Sequence, residues 1–208
     1  MDIKKAVEEL IKNSKKRNFI QTIDLIINLK NLDIKKEKIN FYFEIPYPIK
    51  EKKVCLISEK SEDILKNILD VIVWKDIENL SLKEFKKIEK KYDYFIALSK
   101  LIPSIAKNFG KILGSRKKMP DPQIGCIINE IDENKIKKLV EKLKKTIKIK
   151  NDGNSIKLAI GKENMEIEKI EENFNSFYNK LKQNLPQGEG NIKEILLKLT
   201  MSKPIKLK

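Results

Sequence analysis

The stretch that decides the fold is Lys53–Ser58, KVCLIS, a short and nearly all-apolar run. Two further runs of this kind follow, Val71–Trp74 (VIVW) and Tyr94–Leu98 (YFIAL), with helical patterns between them. Strands that are apolar on both faces and alternate with helices are typical of a parallel sheet covered on both sides. The middle of the chain therefore predicts an α/β domain.

Two amphipathic helices are expected in the same region. Ser81 followed by Glu84 matches a capping box, in which a hydroxyl and a carboxylate satisfy the first free amides of a helix. The apolar stripe from Ile136 to Leu143 has helical spacing and indicates a second helix. Both helices fit the covering layers of the predicted parallel sheet.

The sequence before this region has a different pattern of apolar and polar residues. Apolar residues between Ile3 and Ile11 recur at helical spacing and predict an opening amphipathic helix. Ile23, Leu25, Ile27 and Leu29 predict a first strand. Ile39–Ile45 alternates apolar with polar side chains, as a strand with one wet face does. Pro46 stops the second strand.

The same pattern returns near residue 146. Thr146–Lys150 and Ser155–Ile160 flank Asn151–Asn154, a turn sequence that predicts a hairpin. A long helix with an apolar side from Ile167 to Leu181 follows, and Ile192–Leu199 is a last strand. The orders α-β-β and β-β-α-β predict one helix-backed mixed sheet made from both ends of the chain.

We therefore expect an α/β protein of two domains. Residues 1–49 plus 149–208 form a discontinuous α+β domain, with helices packed on a mixed sheet. Residues 50–148 form an inserted, Rossmann-like α/β domain with a parallel sheet. Hinges are expected at Pro46–Pro48 and near Lys148–Lys150.

The charge of the chain favours a polyanionic partner. It holds 45 Lys and Arg against 30 Asp and Glu, a net charge of +15, and it has no His. Such an excess indicates nucleic acid first and an anionic membrane surface second. Residues 1–49, 50–148 and 149–208 carry +3, +9 and +3, so bulk charge alone places the partner on the inserted domain. No apolar run is long enough to span a bilayer.

Enzymatic chemistry finds little support in the sequence. Without His there is no Ser-His-Asp or Cys-His arrangement. The turn Ser58–Asp63 (SEKSED) lacks the glycines that cradle a pyrophosphate, and Cys55 and Cys126 make neither a zinc site nor a disulfide framework. We expect no catalytic residue, metal or cofactor. A nucleotide-using α/β enzyme and a nonspecific basic nucleic-acid binder stay open as alternatives.

One loop concentrates cations. Gly110–Pro122, GKILGSRKKMPDP, carries two glycines and two prolines, which predict a shaped loop in place of a continuous helix. On it Arg116, Lys117 and Lys118 would form a fixed cationic knob. Arg116 is one of only two arginines in the chain, and the planar guanidinium grips phosphate well. The alternative is an ordinary solvated loop.

A second group of residues suits structured RNA. Phe19 follows the cluster Lys15–Arg17, and Thr200–Ser202 lies just past the last strand among lysines. An aromatic ring packs on a base or ribose, a hydroxyl bonds a ribose 2′-OH, and cations meet phosphates. The alternative is that Phe19 and Met201 are residues at the edge of the core.

These residues together resemble the large-subunit ribosomal protein one family, in its archaeal form. The resemblance covers essentially the whole chain. It is carried by four stretches of sequence, which are Arg17–Phe19 followed by Gln21–Asp24, Leu29–Asp33 with Lys35 and Lys36, Leu113–Pro120 (LGSRKKMP), and Thr200–Ser202.

The resemblance implies a two-domain α/β structural protein of the large ribosomal subunit, cytoplasmic and monomeric outside the ribosome. It implies binding of the stalk region of large-subunit rRNA, assistance to tRNA exit, and repression of translation through its own mRNA, a role that varies across the family. The predicted RNA-binding residues are Lys16, Arg17, Phe19, Thr22, Asp24, Thr200, Met201, Ser202 and Lys203, with a weaker secondary contact at Arg116, Lys117 and Lys118.

Four positions depart from the family pattern. Ser202 stands where the family has Gly, and its side chain either crowds the RNA or adds a contact. Ser115 and Lys117 replace Pro and Gly in the signature loop, so a different loop backbone is expected. Glu194 stands where some members have Ser, and an acid facing phosphate would weaken binding.

Overall fold

The computed structural model describes residues 2–32, 39–61, 65, 67–151 and 153–207. Its helices are α1 (Ile3–Lys12), α2 (Trp74–Ile77), α3 (Leu82–Glu89), α4 (Ile102–Ser115), α5 (Glu133–Lys145) and α6 (Ile167–Asn184). Its strands are β1 (Thr22–Leu29), β2 (Asn40–Glu44), β3 (Val54–Ser58), β4 (Asp70–Val73), β5 (Tyr94–Leu98), β6 (Ile127–Ile128), β7 (Thr146–Lys150), β8 (Ser155–Lys162), β9 (Ile192–Leu199) and β10 (Ile205–Lys206). Six of the residues named in the sequence analysis lie outside the described residues, namely Asp33, Lys35, Lys36, Glu62, Asp63 and Asp152.

The chain divides into two compact units. The discontinuous unit contains residues 1–49 and 145–208, and the inserted unit contains residues 50–144. The sequence placed the return at residue 149, with a hinge near Lys148–Lys150. In the structure those lysines belong to β7, which pairs with β2, so the return lies before this strand.

The position of this boundary changes the distribution of charge. With the structural bounds, the discontinuous unit carries a net charge of +8 and the inserted unit +7. The bounds expected from the sequence assigned most of the excess to the inserted domain. The excess is in fact shared, so bulk charge does not single out either unit.

Four strands of the discontinuous unit form a sheet in the order β10-β9-β1-β8. Every pairing between described strands of this unit is antiparallel, although the sequence predicted a mixed sheet. β8 and β9 are both antiparallel to β1 and so run parallel to each other. Because β1 lies between them, they form no parallel pair.

The hairpin predicted around Asn151–Asn154 is wrong. β7 pairs with β2 in a separate two-stranded sheet, whereas β8 pairs with β1. Both strands lie where the sequence placed them, but each pairs with a strand from residues 1–49. Turn residues fix where a chain reverses, and they do not choose the strand with which the next segment pairs.

One apolar core fills the discontinuous unit. Alternate residues of β1, from Ile23 to Leu29, point into it together with the apolar stripes of α1 and α6. The stripe of α6, Ile170 to Leu181, includes the wholly buried Phe177, whose ring meets the edge of Phe43. Each such side chain contributes about 1.5–3 kcal/mol on burial. The helices therefore cover one face of the large sheet.

The inserted unit has the predicted parallel sheet, in the order β4-β3-β5-β6. Every residue of β3 is buried, as its all-apolar sequence indicated. The stacked rings of Phe85 on α3 and Phe109 on α4, with centroids 3.8 Å apart, form the middle of its core. The capping box of Ser81 and Glu84 begins α3 as expected.

The loop predicted from Gly110 to Pro122 is much shorter in the structure. Helix α4 continues through Gly110 and Gly114 to Ser115. Its buried stripe, Ile105 to Leu113, faces the aromatic core, and that burial exceeds the roughly 1 kcal/mol that a glycine costs a helix. Glycine in a helix interior weakens the helix without ending it.

Helix α4 ends in a Schellman motif. The amides of Lys117 and Lys118 donate to the carbonyls of Gly114 and Leu113 at 3.0 and 2.8 Å. Lys117 has φ of +60°, in the left-handed region that favours glycine. Lysine at this position thus holds a backbone conformation that a glycine would adopt without strain.

The three-cation knob is wrong at Lys118. Its ammonium points inward, 2.6 Å from the Glu89 carboxylate, and donates at 2.8 Å to the carbonyls of both Glu89 and Tyr92. These groups follow the C-terminal end of α3, where a cation satisfies carbonyls that have no helical partner. Arg116 and Lys117 are exposed. None of the helices in the described ranges is long and apolar enough to span a membrane.

We expect Lys118→Met to lower the free energy of unfolding by about 2–3 kcal/mol, because it leaves the nearly buried Glu89 carboxylate without its cation. Lys117→Met is the matched control, since it removes an exposed charge and changes the free energy by less than about 0.5 kcal/mol. Urea unfolding of both variants measures the difference. Equal midpoints would show that the Lys118 contacts do not stabilise the unit.

Candidate nucleic-acid interface

The pairing of β1 with β9 brings the two ends of the chain together. The register places Ile23 opposite Leu199 and Asp24 opposite Lys198. One residue beyond, the amide of Thr22 donates to the Thr200 hydroxyl oxygen at 3.1 Å, and the Thr200 amide donates to the Thr22 carbonyl at 3.1 Å. Two threonines 178 positions apart are thus joined by reciprocal hydrogen bonds.

Gln21 fixes the position of the next residue. Its side-chain oxygen accepts from the Met201 amide at 3.2 Å, and its amide nitrogen donates to the Glu163 carboxylate at 3.2 Å. The backbone amide of Glu163 returns to the Gln21 carbonyl at 3.0 Å. Gln21 is 1% exposed, so this buried side chain ties the start of β1 to the turn after β8 and to the chain end.

Two large apolar side chains of the predicted site lie on the surface. Phe19 is 51% exposed and Met201 is 61% exposed, so they are not residues of the core. Ile20 beside Phe19 is exposed as well, although it is not among the predicted site residues. Its signal is present in the sequence, because two neighbouring side chains of an extended chain point to opposite sides, and only one of them can face a core on one side. Exposed apolar groups side by side mark a binding surface.

Ser202 organises the turn after β9. Its hydroxyl accepts from the Leu199 amide at 2.8 Å and lies 3.0 Å from the Lys203 carbonyl, and its own amide donates to the Leu199 carbonyl at 3.1 Å. Side chains of this kind close turns by bonding nearby backbone. The hydroxyl is directed to the backbone of the turn that presents Thr200 and Met201.

The open face of the large sheet lies opposite the helices. Every second residue of β1, starting at Thr22, points to this face together with its register partners on the neighbouring strands. Its members are Thr22, Asp24, Ile26, Asn28, Ser155, Lys157, Ala159, Glu194, Leu196, Lys198 and Lys206.

Asp24 lies in the middle of this open face. Partial burial raises the pKa of its carboxyl, and the positive charge of Lys198 on the neighbouring strand opposes that rise. Asp24 and Lys157 also line one shallow cavity with Lys198. The face therefore presents two lysines around a partly buried carboxyl group whose pKa is raised.

A groove of about 490 Å³ lies beside the turn. Arg17 and Lys203 of the predicted site line it together with Lys15. The end of α1 supplies the other wall, with Glu9 and Asn13, neither of which was a predicted site residue. Their place on the polar side of an amphipathic helix resembles that of any solvated residue, so the sequence held no signal for them.

The predicted site residues fall into two groups. Residues 16–24 and 200–203 belong to the discontinuous unit. The Thr22–Thr200 bonds join the two segments, and Arg17 lines one groove with Met201, Ser202 and Lys203. Arg116, Lys117 and Lys118 belong to the inserted unit. Within the described residues, no group of three or more His, Cys, Asp or Glu is arranged to hold a metal ion.

These features define a class of protein, two-unit α/β chains whose discontinuous unit presents a basic surface with exposed apolar side chains. The family model that matches is the ribosomal protein L1p/L10e family, over residues 10–203. The chain belongs to this family, and the resemblance seen in the sequence is confirmed.

Archaeal relatives match nearly the full length. The chain is 36% identical to the large ribosomal subunit protein uL1 of Thermococcus kodakarensis, over 97% of this chain and 94% of that protein. Identity to the protein of the same name from Pyrococcus abyssi is 35%, over 99% and 95%. For Nanoarchaeum equitans the values are 32%, 99% and 97%.

We expect Ser202→Ala to accelerate hydrogen exchange of the Leu199 amide about 5-fold, because a net hydrogen bond contributes about 1 kcal/mol. The Leu197 amide, on the same strand and away from the hydroxyl, is the internal control and keeps its rate. Amide exchange followed by NMR measures both. An unchanged rate at Leu199 would mean that the hydroxyl does not hold this turn.

Proposed function

We propose that the chain is a structural constituent of the large ribosomal subunit and binds the stalk region of its rRNA through the surface around Phe19, Thr22, Asp24 and Thr200–Lys203. Support comes from the family, from relatives named as large ribosomal subunit proteins, and from the surface itself. It acts by binding and carries out no reaction. Its place is the cytoplasm, on the large subunit.

One observation carries this proposal. Phe19 and Met201 come from opposite ends of the chain, and both are more than half exposed. The buried Gln21, two residues after Phe19, accepts a hydrogen bond from the Met201 amide. Exposing large apolar side chains costs free energy in the isolated protein. Exposed apolar side chains among cations suit an RNA surface, where bases and riboses pack on apolar groups and phosphates meet cations.

The chemistry of recognition divides between two kinds of group. The Phe19 ring and the Met201 thioether pack on bases, a contact that contributes about 1–3 kcal/mol for each aromatic stack. Lys16, Arg17 and Lys203 are exposed cations, and they supply a salt-sensitive attraction to phosphates. The Thr200 oxygen accepts from one backbone amide and retains acceptor capacity for a ribose 2′-OH.

The remaining partners follow from the same proposal. We include in this proposal two further roles, which are binding of exit-site tRNA and repression of translation through the chain's own mRNA. Arg116 and Lys117 stay a proposed secondary RNA contact, now without Lys118, whose ammonium is engaged inside the inserted unit. The +7 of the inserted unit supports long-range attraction of RNA.

We expect Phe19→Ala, Met201→Ala and Thr200→Val each to weaken binding of a stalk rRNA fragment about 10-fold, because each removes a localised contact. Leu82→Ala is the matched control for lost apolar surface, since Leu82 is an exposed apolar residue of the inserted unit. Lys144→Met is the control for lost charge and should change only the salt response. Fluorescence anisotropy at two salt concentrations measures all five variants.

A scrambled hairpin of the same length tests specificity in the same assay. We expect the unchanged chain to bind the stalk fragment at least 100-fold more tightly. Equal affinity for both RNAs, or equal losses in the site and control variants, would reject a localised stalk-binding surface. A nonspecific basic binder would give that result.

A further inference from the structure

Glu194 is an ionised acid on the open face proposed to meet RNA. It is the register partner of Asn28, whose side-chain amide donates to Glu194 Oε1 at 2.7 Å. On the other side, Lys206 Nζ lies 3.6 Å from Glu194 Oε2. The Asn28 hydrogen bond, and then the charges of Lys206 and Lys193, hold the pKa of the Glu194 carboxyl below its usual range.

The position of this carboxylate limits what can approach it. Its side chain is 26% exposed, and Asn28 and Lys206 each contact one of its two oxygens. A phosphate at this point would meet a negative charge. A carboxylate is an acceptor only, and each oxygen can accept more than one hydrogen bond, so both oxygens retain capacity.

RNA offers one kind of group that suits such an acceptor. The exocyclic amino groups of unpaired bases donate hydrogen bonds from the Watson–Crick edge, and single-stranded bases are read on that edge. Glutamate accepting from the amino group of cytosine is a known form of base reading. The 2′-OH also donates, but it carries no sequence information.

We propose that Glu194, oriented by Asn28, reads the amino group of an unpaired base in the bound RNA. The inference rests on the proposed RNA-binding function and adds a specificity-determining residue to it. The same charge excludes phosphate from this part of the face, so it also sets the register of the RNA. Specificity of this kind combines an attractive contact with a repulsive one.

The hydrogen bond from Asn28 orients the Glu194 carboxylate for this contact. Asn28 Nδ2 holds one carboxylate oxygen, and its loss would let the carboxylate rotate about its own side-chain bonds. Asn28 is therefore a positioning residue. Its replacement should weaken base discrimination without removing the charge that repels phosphate.

The experiment measures base discrimination with the full chain. A stalk rRNA fragment is prepared with each unpaired cytosine, guanine and adenine replaced singly by uracil, which lacks an exocyclic amino group. The unchanged chain, Glu194→Gln, Asn28→Ala and the control Glu189→Gln are titrated against the set. Glu189 is an acid of the same unit that pairs with Lys182 at 3.1 Å and lies outside the open face.

The expected result is a loss of about 10-fold for the unchanged chain at one replaced base. In Glu194→Gln that loss should fall to less than 3-fold, in Asn28→Ala it should be intermediate, and in Glu189→Gln it should be unchanged. The position at which replacement by uracil weakens binding shows whether a cytosine, a guanine or an adenine supplies the amino group. Thermal unfolding confirms that each variant is folded.

Two results overturn the inference while leaving the proposed function in place. Uniformly tighter binding of every RNA by Glu194→Gln would mean that the carboxylate only repels phosphate. Unchanged affinities for every RNA would mean that Glu194 only braces the strands. If the unchanged chain does not prefer the stalk fragment to a scrambled hairpin, both the proposed function and this inference fail.

Discussion

The structure depends on the pairing of β1 with β9. Strand β1 lies in the centre of the discontinuous unit, and only this pairing joins residues 22–29 to residues 192–199. The apolar alternate residues of both strands must face the same core, and a shift of one residue would turn them to solvent. That requirement fixes the register, and the register places Thr22 beside Thr200. The site is thus a consequence of core packing.

Buried amide side chains hold the irregular segments around this sheet. Gln21 ties the start of β1 to Met201 and Glu163, and Asn191 donates to the carbonyls of Lys30 and Asn31. Asn173 on α6 accepts from the Tyr47 amide and donates to the carbonyls of Tyr47 and Ile160. Such groups are costly when buried without partners, so full satisfaction makes them strong constraints on loop position. The exposed Met201 is therefore held through its amide by the buried Gln21.

The elements of the fold could be predicted from the sequence because their signals are local. The last strand expected at Ile192–Leu199 is β9 to the residue, and the nearly all-apolar KVCLIS run contains the buried β3. Strand partners could not be predicted, because pairing depends on segments far along the chain. The prediction of a hairpin at Asn151–Asn154 is wrong for this reason. The prediction of a loop from Gly110 is wrong because burial of Phe109 and its neighbours outweighs the local cost of glycine in the helix.

The sequence by itself determined the class of the fold, the family, the excess of positive charge and the residue types suited to RNA, since these follow from composition, period and motif. Only the tertiary structure decided which of the cations face solvent. Lys117 and Lys118 are neighbours of the same type, yet one is exposed and the other binds Glu89 inside the inserted unit. It also decided that Ser202 bonds the backbone and that Asn28 meets Glu194, because both contacts depend on strands and turns that assemble only when the core is buried.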